Sequence, residues 1–117
     1  MRLFYIENED FLVTLFEVLF KKSAHSIFTT KETQSLHLIE DQKPDIVMIS
    51  LNYTLAEIAD LVDQIRKITG YSTILVALGD KIQVASIKEK SWFDYYITKP
   101  FAPFEALAQL EKYLKRP

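Results

Sequence analysis

The residues able to do chemistry in this 117-residue chain stand at the ends of short apolar runs. Glu7, Asn8, Glu9 and Asp10 follow Leu3-Phe4-Tyr5-Ile6, and Ser50 follows Ile46-Val47-Met48-Ile49. Leu78 and Gly79 end the run that begins at Ile74, and Lys99-Pro100-Phe101 come just after Tyr95-Tyr96-Ile97. Clustered carboxylates can hold a hard divalent cation, since Mg²⁺ takes oxygen ligands and keeps several waters. The same residues also suit a helix start, with Asn8 as a cap and Glu9 and Asp10 at the positive end of the dipole. A lysine at a strand end can neutralise an anion as a point charge, or stand in solvent before a turn-forming proline. Ser50 could act as a nucleophile only beside a general base. The two histidines, His25 and His37, fall in the second-strand region and the following helix, so a Ser-His-Asp arrangement fails and both read as surface residues.

Composition narrows the options. Apolar residues make up 49% and charged residues 26%, the mix of one compact globular domain over residues 1–117. Cysteine is absent, which excludes disulfides, thiolate zinc sites and thiol redox motifs. With two glycines, the chain has little material for a phosphate-cradling loop, and acids after the first strand would repel a phosphate there. Net charge is −2, without the basic field that nucleic-acid binding requires. The first 58 residues carry 5 basic and 9 acidic groups, the remainder 9 and 7. No apolar run reaches the ~18 residues of a membrane span. Acids follow Ile6 too soon for a signal peptide, and the chain reads as cytoplasmic.

The elements that must position these residues follow from periodicity. Four runs apolar on both faces, with a weaker one over Ile27-Phe28-Thr29-Thr30, predict strands of a parallel sheet covered by helices. Amphipathic stretches over 10–22, 32–41, 55–68, 81–90 and 103–115 predict the helices between them, the third stopping at Gly70 and the fifth opening at Pro103. Strict alternation implies right-handed crossovers and a single doubly wound (βα)5 domain of the α/β class, with a five-stranded parallel sheet. Sites in such sheets lie beyond the carboxyl ends of the strands, where the residues above fall.

Taken together, these segments resemble the receiver domain of two-component response regulators (CheY-like) over essentially the whole chain. The resemblance rests on Leu3–Ile6 leading to Glu7-Asn8-Glu9, on Pro44-Asp45-Ile46-Val47-Met48-Ile49 leading to Ser50, on Ile65-Arg66, and on Asp94-Tyr95-Tyr96-Ile97-Thr98-Lys99-Pro100-Phe101. It implies the sheet order 2-1-3-4-5 and a phospho-acceptor pocket formed by Glu7, Asn8, Ser50, Leu78 and Lys99. That pocket departs from the family pattern. Ser50 replaces the acceptor aspartate, Asn8 replaces one acid of the metal-binding pair, and Leu78 replaces the hydroxyl that binds the phosphoryl oxygen. Tyr53-Thr54 stand where Met-Pro is usual, and Ile58 where a helix-start glycine is.

The resemblance therefore implies an atypical receiver, not an enzyme, with no cofactor and Mg²⁺ binding weak or absent. Ser50 adds no negative charge and does not mimic a phosphorylated state. Lys99 is expected to pair with Glu7, the Lys99–Pro100 peptide to be cis as is common in the family, and Tyr96, the switch aromatic, to hold one orientation. The partner surface is expected on the face of the fourth helix, fifth strand and fifth helix, carried by Trp92, Phe93, Tyr95 and Phe104. Trp92 and Phe93 could equally fold back over the core edge. Lys81, Lys88, Lys90, Lys112, Lys115 and Arg116 ring that half and favour an acidic protein partner or a second copy. The function implied is phosphorylation-independent signalling by protein contact or as a homodimer, without membrane, nucleic acid or small-molecule substrate. Two alternatives stay open: the regulatory receiver of a longer DNA-binding regulator, its linker starting near Leu114–Pro117, and a receiver that retains weak metal or phosphodonor binding.

Overall fold

Ten elements alternate along the chain: β1 (Arg2–Ile6), α1 (Asp10–Lys21), β2 (Ser26–Thr30), α2 (His37–Gln42), β3 (Ile46–Ser50), α3 (Leu55–Thr69), β4 (Ile74–Gly79), α4 (Lys81–Lys88), β5 (Tyr95–Thr98) and α5 (Pro103–Tyr113). The computed structural model describes residues 1–34 and 36–115. The five strands form one parallel sheet in the order β2-β1-β3-β4-β5. This is the predicted doubly wound α/β architecture.

Side chains alternate across each strand, so the sheet sorts the core into two layers. Phe4, Ile6, Val47, Ile49, Leu75 and Ala77 pack with Ile58, Leu61, Ile65, Val84 and Ile87 under α2, α3 and α4. On the other face Leu3, Tyr5, Met48, Val76, Leu78 and Ile97 pack with Leu12, Phe16, Leu19, Ala106 and Leu110 under α1 and α5. Every residue of β3 and β4 is buried, as two-sided cover requires. The edge strands β2 and β5 are half-buried over most of their length.

Two helices open with capping boxes. The Thr54 side chain accepts from the Glu57 N–H while the Glu57 carboxylate accepts from the Thr54 N–H, and Asp80 and Gln83 repeat the exchange at α4. At the far end of α3, Gly70 takes φ +62°, a conformation that suits a residue without Cβ. Helix α2 starts later than periodicity predicted, at His37 rather than 32. The Glu32 N–H donates to the Thr30 hydroxyl at 3.2 Å and holds the chain in a turn after β2. Ser35, within that expected helix, and Arg116 and Pro117 lie outside the described residues.

Candidate functional site

The register brings the ends of β1, β3, β4 and β5 to one edge of the sheet. Ile6 pairs with Ile49, Ser50 with Leu78, and Gly79 with Thr98. Glu7, Asn8, Ser50, Leu78 and Lys99 thus gather at that edge.

Glu7 is fully buried. It follows Tyr5 at the strand spacing of two, and the Tyr5 hydroxyl donates to its Oε1 at 2.5 Å. Its Oε2 accepts from the N–H groups of Asn8 and Glu9 at 3.2 and 3.3 Å. Both carboxylate oxygens are therefore engaged by the chain itself. Burial, and then the hydrogen bond and charge of Glu7, push the Tyr5 phenol well above its ordinary range.

Asn8 does not cap α1. The N-cap is Glu9, which contributes its backbone carbonyl and no side-chain cap bond. The Asn8 amide bridges instead to the loop after β3. Its Nδ2 donates to the Asn52 carbonyl at 2.9 Å, and its Oδ1 accepts from the Asn52 Nδ2 at 2.9 Å. This two-bond clasp joins the β1–α1 and β3–α3 loops across the pocket.

Ser50 is fully buried, and its Oγ accepts from the Asn52 N–H at 3.2 Å. Leu78, fully buried, belongs to the apolar layer under α1 and α5. Leu51 lies over Gly79 so closely that a Cβ there would stand 2.8 Å from the Leu51 Cδ1. Gln83 closes this side by donating to the Leu51 carbonyl at 3.3 Å.

Lys99 pairs with Glu9 (Nζ to Oε2, 3.6 Å) and not with Glu7 as expected. The reason is that Glu7 is already satisfied and turned into the core, whereas Glu9 is half-exposed. The Lys99–Pro100 peptide is cis.

An open cleft of about 510 Å³ remains beside these residues, with Asn8, Lys31, Asn52, Tyr53, Glu57 and Gln83 on its walls. The Tyr53 hydroxyl donates to the Lys31 carbonyl at 2.8 Å. Burial, followed by the charges of Glu7 and Glu57, pushes its phenol up to about 12. The donor set does not fit a hard divalent cation. Glu7 offers no free oxygen, Asn8 is neutral and tied to Asn52, and Ser50 brings a hydroxyl where a carboxylate is needed. Among the described residues no three His, Asp or Glu side chains converge as metal ligands.

Solved structures with this architecture are numerous, although no family model and no curated protein matches the sequence. The N-terminal signal receiver domain of a two-component response regulator from Bacteroides fragilis superposes with TM-score 0.82 at 17% identity, covering 99% of this chain and 98% of its own. The chain has the receiver fold. A putative response regulator from Chloroflexus aurantiacus gives 0.81 at 16%, with 98% of each chain covered. A structure described as a novel family of redox sensors in the streptococci, evolved from two-component response regulators, gives 0.85 at 16%. There the match spans 97% of this chain and 51% of the other.

Within the receiver fold, the α4-β5-α5 face holds some of the expected partner residues and not others. Tyr95 stacks on Tyr113 with ring centroids 4.0 Å apart and planes 3° from parallel. The Tyr113 hydroxyl donates to the Tyr96 carbonyl at 3.3 Å. Tyr96 packs edge-on against Phe93, and the Lys88 ammonium sits 5.3 Å from its ring centre. Burial, then Asp94, raises the Tyr96 phenol above its usual range.

Two of the four expected anchors, Phe93 and Phe104, must be withdrawn. Phe93 is a core residue, 7% exposed, packed into the layer under α2, α3 and α4. Trp92 is half-buried against the same layer. Phe104 is exposed, but nine residues before Tyr113 places it on the opposite side of α5 at 100° per residue. It shares a side with Glu111, which binds His25 in the connection after α1. Tyr95 remains on the face, beside a groove of about 540 Å³ lined by Tyr95, Gln109, Lys112, Tyr113 and Lys115. Arg116 lies outside the described residues.

Proposed function

We propose that this chain is an atypical receiver domain that signals by protein contact without being phosphorylated, a cytoplasmic module of two-component type with no catalytic role. The observation that carries this reading is the closed pocket: Ser50 buried beneath the Asn8–Asn52 clasp, with Leu78 in place of a hydroxyl. A phosphoryl group transferred here would lack an acidic acceptor, a cation to neutralise it and a hydroxyl to receive its oxygen.

The partner is a protein segment of acidic character, docking on the α4-β5-α5 face. Lys112 and Lys115 line the groove with the stacked tyrosines and Lys88 sits against the Tyr96 ring, and aromatic rings beside cations suit an acidic, partly apolar ligand. Direct nucleic-acid binding by this domain is not part of the reading, given a net charge of −2. One second reading has a specific support: the streptococcal match covers only about half of that longer chain, so the domain could serve as the input module of a larger regulator.

The test is a backbone amide NMR titration with Mg²⁺ and then beryllofluoride, a phosphoryl mimic. The expected result is no saturable shift at Glu7, Ser50, Leu78 or Lys99. Shifts that saturate there and spread to Tyr95 and Tyr96 would defeat the proposal and restore the reading of a receiver that still takes metal or phosphodonor.

A further inference from the structure

We propose that Tyr95 and Tyr113 form an oxidative cross-linking site, where one-electron oxidants join the two rings into a dityrosine that fastens α5 to β5. The link turns oxidant exposure into a covalent change on the α4-β5-α5 face. It is a property of the stacked pair and does not depend on what docks there.

Of the six tyrosines in the chain, Tyr95 and Tyr113 stack face to face. With centroids 4.0 Å apart and planes 3° from parallel, the two ring faces are in van der Waals contact. The Tyr113 ring is held in place by its hydroxyl, which lies 3.3 Å from both the Tyr96 carbonyl and the Gln109 Oε1. Strand alternation sends the neighbouring Tyr96 ring to the opposite layer, against Phe93, so Tyr95 is the ring of β5 that Tyr113 meets. A phenoxyl radical carries much of its unpaired spin on the ring carbons next to the oxygen, and two radicals couple at those carbons. Rings already in contact need only a small side-chain rotation to do so, not a diffusive encounter.

The rest of the chain leaves the oxidant few other targets. Sulfur side chains are the usual first sites of oxidation, yet the chain has no cysteine, Met48 is fully buried and Met1 is half-buried. The stacked pair, by contrast, borders an open groove of about 540 Å³. Lys112 and Lys115 line that groove, so it admits a small oxidant and attracts an anionic one.

The carbonate radical anion is a small anionic oxidant of this kind. One such radical takes an electron from each phenol as the O–H bond breaks, and the proton goes to the carbonate so formed. Two phenoxyl radicals and two bicarbonate ions result. A carbon–carbon bond then joins the ring positions next to the two oxygens. The hydrogen on each joined carbon moves to the oxygen of its own ring, which restores two aromatic phenols. In all, the pair has lost two electrons and two protons.

Radiolysis of the full chain in bicarbonate saturated with nitrous oxide, which generates carbonate radicals, tests the site. Dityrosine fluorescence and mass spectrometry after trypsin read the outcome. Trypsin does not cut Lys99–Pro100, so Tyr95 and Tyr113 fall on separate peptides, 91–112 and 113–115. The expected result is a species that joins these two peptides, lighter than their sum by two hydrogen atoms, in a yield unchanged by diluting the chain. Tyr95→Phe and Tyr113→Phe should each abolish it, whereas Tyr96→Phe and Tyr71→Phe should leave it. Oxidation in urea, where the stack is lost, should lower the yield at least about tenfold. A chain that is oxidised without joining these peptides, or a yield that falls on dilution, overturns the proposal. So does a link that survives Tyr95→Phe, is lost with Tyr96→Phe, or forms equally well in urea.

Discussion

Ser50 shows how much one atom type decides. Its hydroxyl is neutral, buried and already a hydrogen-bond acceptor, so the position is satisfied as it stands. A carboxylate on the same Cβ would carry charge into a place flanked by Leu51 and paired with Leu78, near an already buried Glu7. We expect Ser50→Asp to cost about 3 kcal/mol, the scale of an uncompensated buried charge, read as a lower urea midpoint. Added Mg²⁺ should not recover the loss, because Asn8 remains bound to Asn52. Joining Asn8→Asp to Ser50→Asp opens the clasp and adds a second carboxylate, and only this double variant should gain stability from Mg²⁺. Stabilisation of the single variant by Mg²⁺ would show that the pocket keeps a working cation site.

At the level of elements, the pocket is closed by the junction of β3, β4 and α4. The Asp80–Gln83 capping box fixes the start of α4, which lets Gln83 reach the Leu51 carbonyl, and Leu51 lies over Gly79. Gly79→Ala puts a Cβ 2.8 Å from the Leu51 Cδ1, 2.9 Å from the Gln83 Oε1 and 3.0 Å from the Leu51 Cβ, so these neighbours must shift. We expect a loss of about 1–3 kcal/mol, as overpacking usually costs. Leu51→Ala removes the nearest of these contacts, so the double variant should lose less than the two single losses together, as a double-mutant cycle in urea would measure. Strict additivity would mean that the two residues do not press on each other. The strands and most helices were legible because apolar runs and helical spacing report burial on two sides or one. Both capping boxes stand in the sequence as Thr54-x-x-Glu57 and Asp80-x-x-Gln83, a polar spacing that apolar periodicity alone does not weigh. The Asn8–Asn52 clasp was not legible, and the burial of Phe93 stood only as one of two equal readings. Each depends on how two connections meet in space, and neither periodicity nor residue type encodes that.

For the whole molecule, the same burial that closes the pocket also fixes the response to alkaline pH. Tyr5, Tyr53, Tyr96 and Tyr113 all have phenols raised above their ordinary value, burial being the largest cause in each. They sit in both layers of the core and at the β5 edge, so their titration reports on the entire domain. A raised phenol means that the folded chain keeps its proton after the unfolded chain has released it. The contribution is fully present below about pH 10, the usual phenol value, and is lost as pH climbs through the folded values, about 12 for Tyr53. The urea midpoint should therefore be flat on the neutral side of about pH 10 and fall steadily above it. The phenolate of Tyr5 should be the last to form and should come with the loss of far-UV circular dichroism, because its hydroxyl is buried and bonded to Glu7. Complete phenolate formation in a chain that still shows the native spectrum would mean that the Tyr5–Glu7 pair is reached by solvent without unfolding. The closed pocket on which the functional reading rests would then be open.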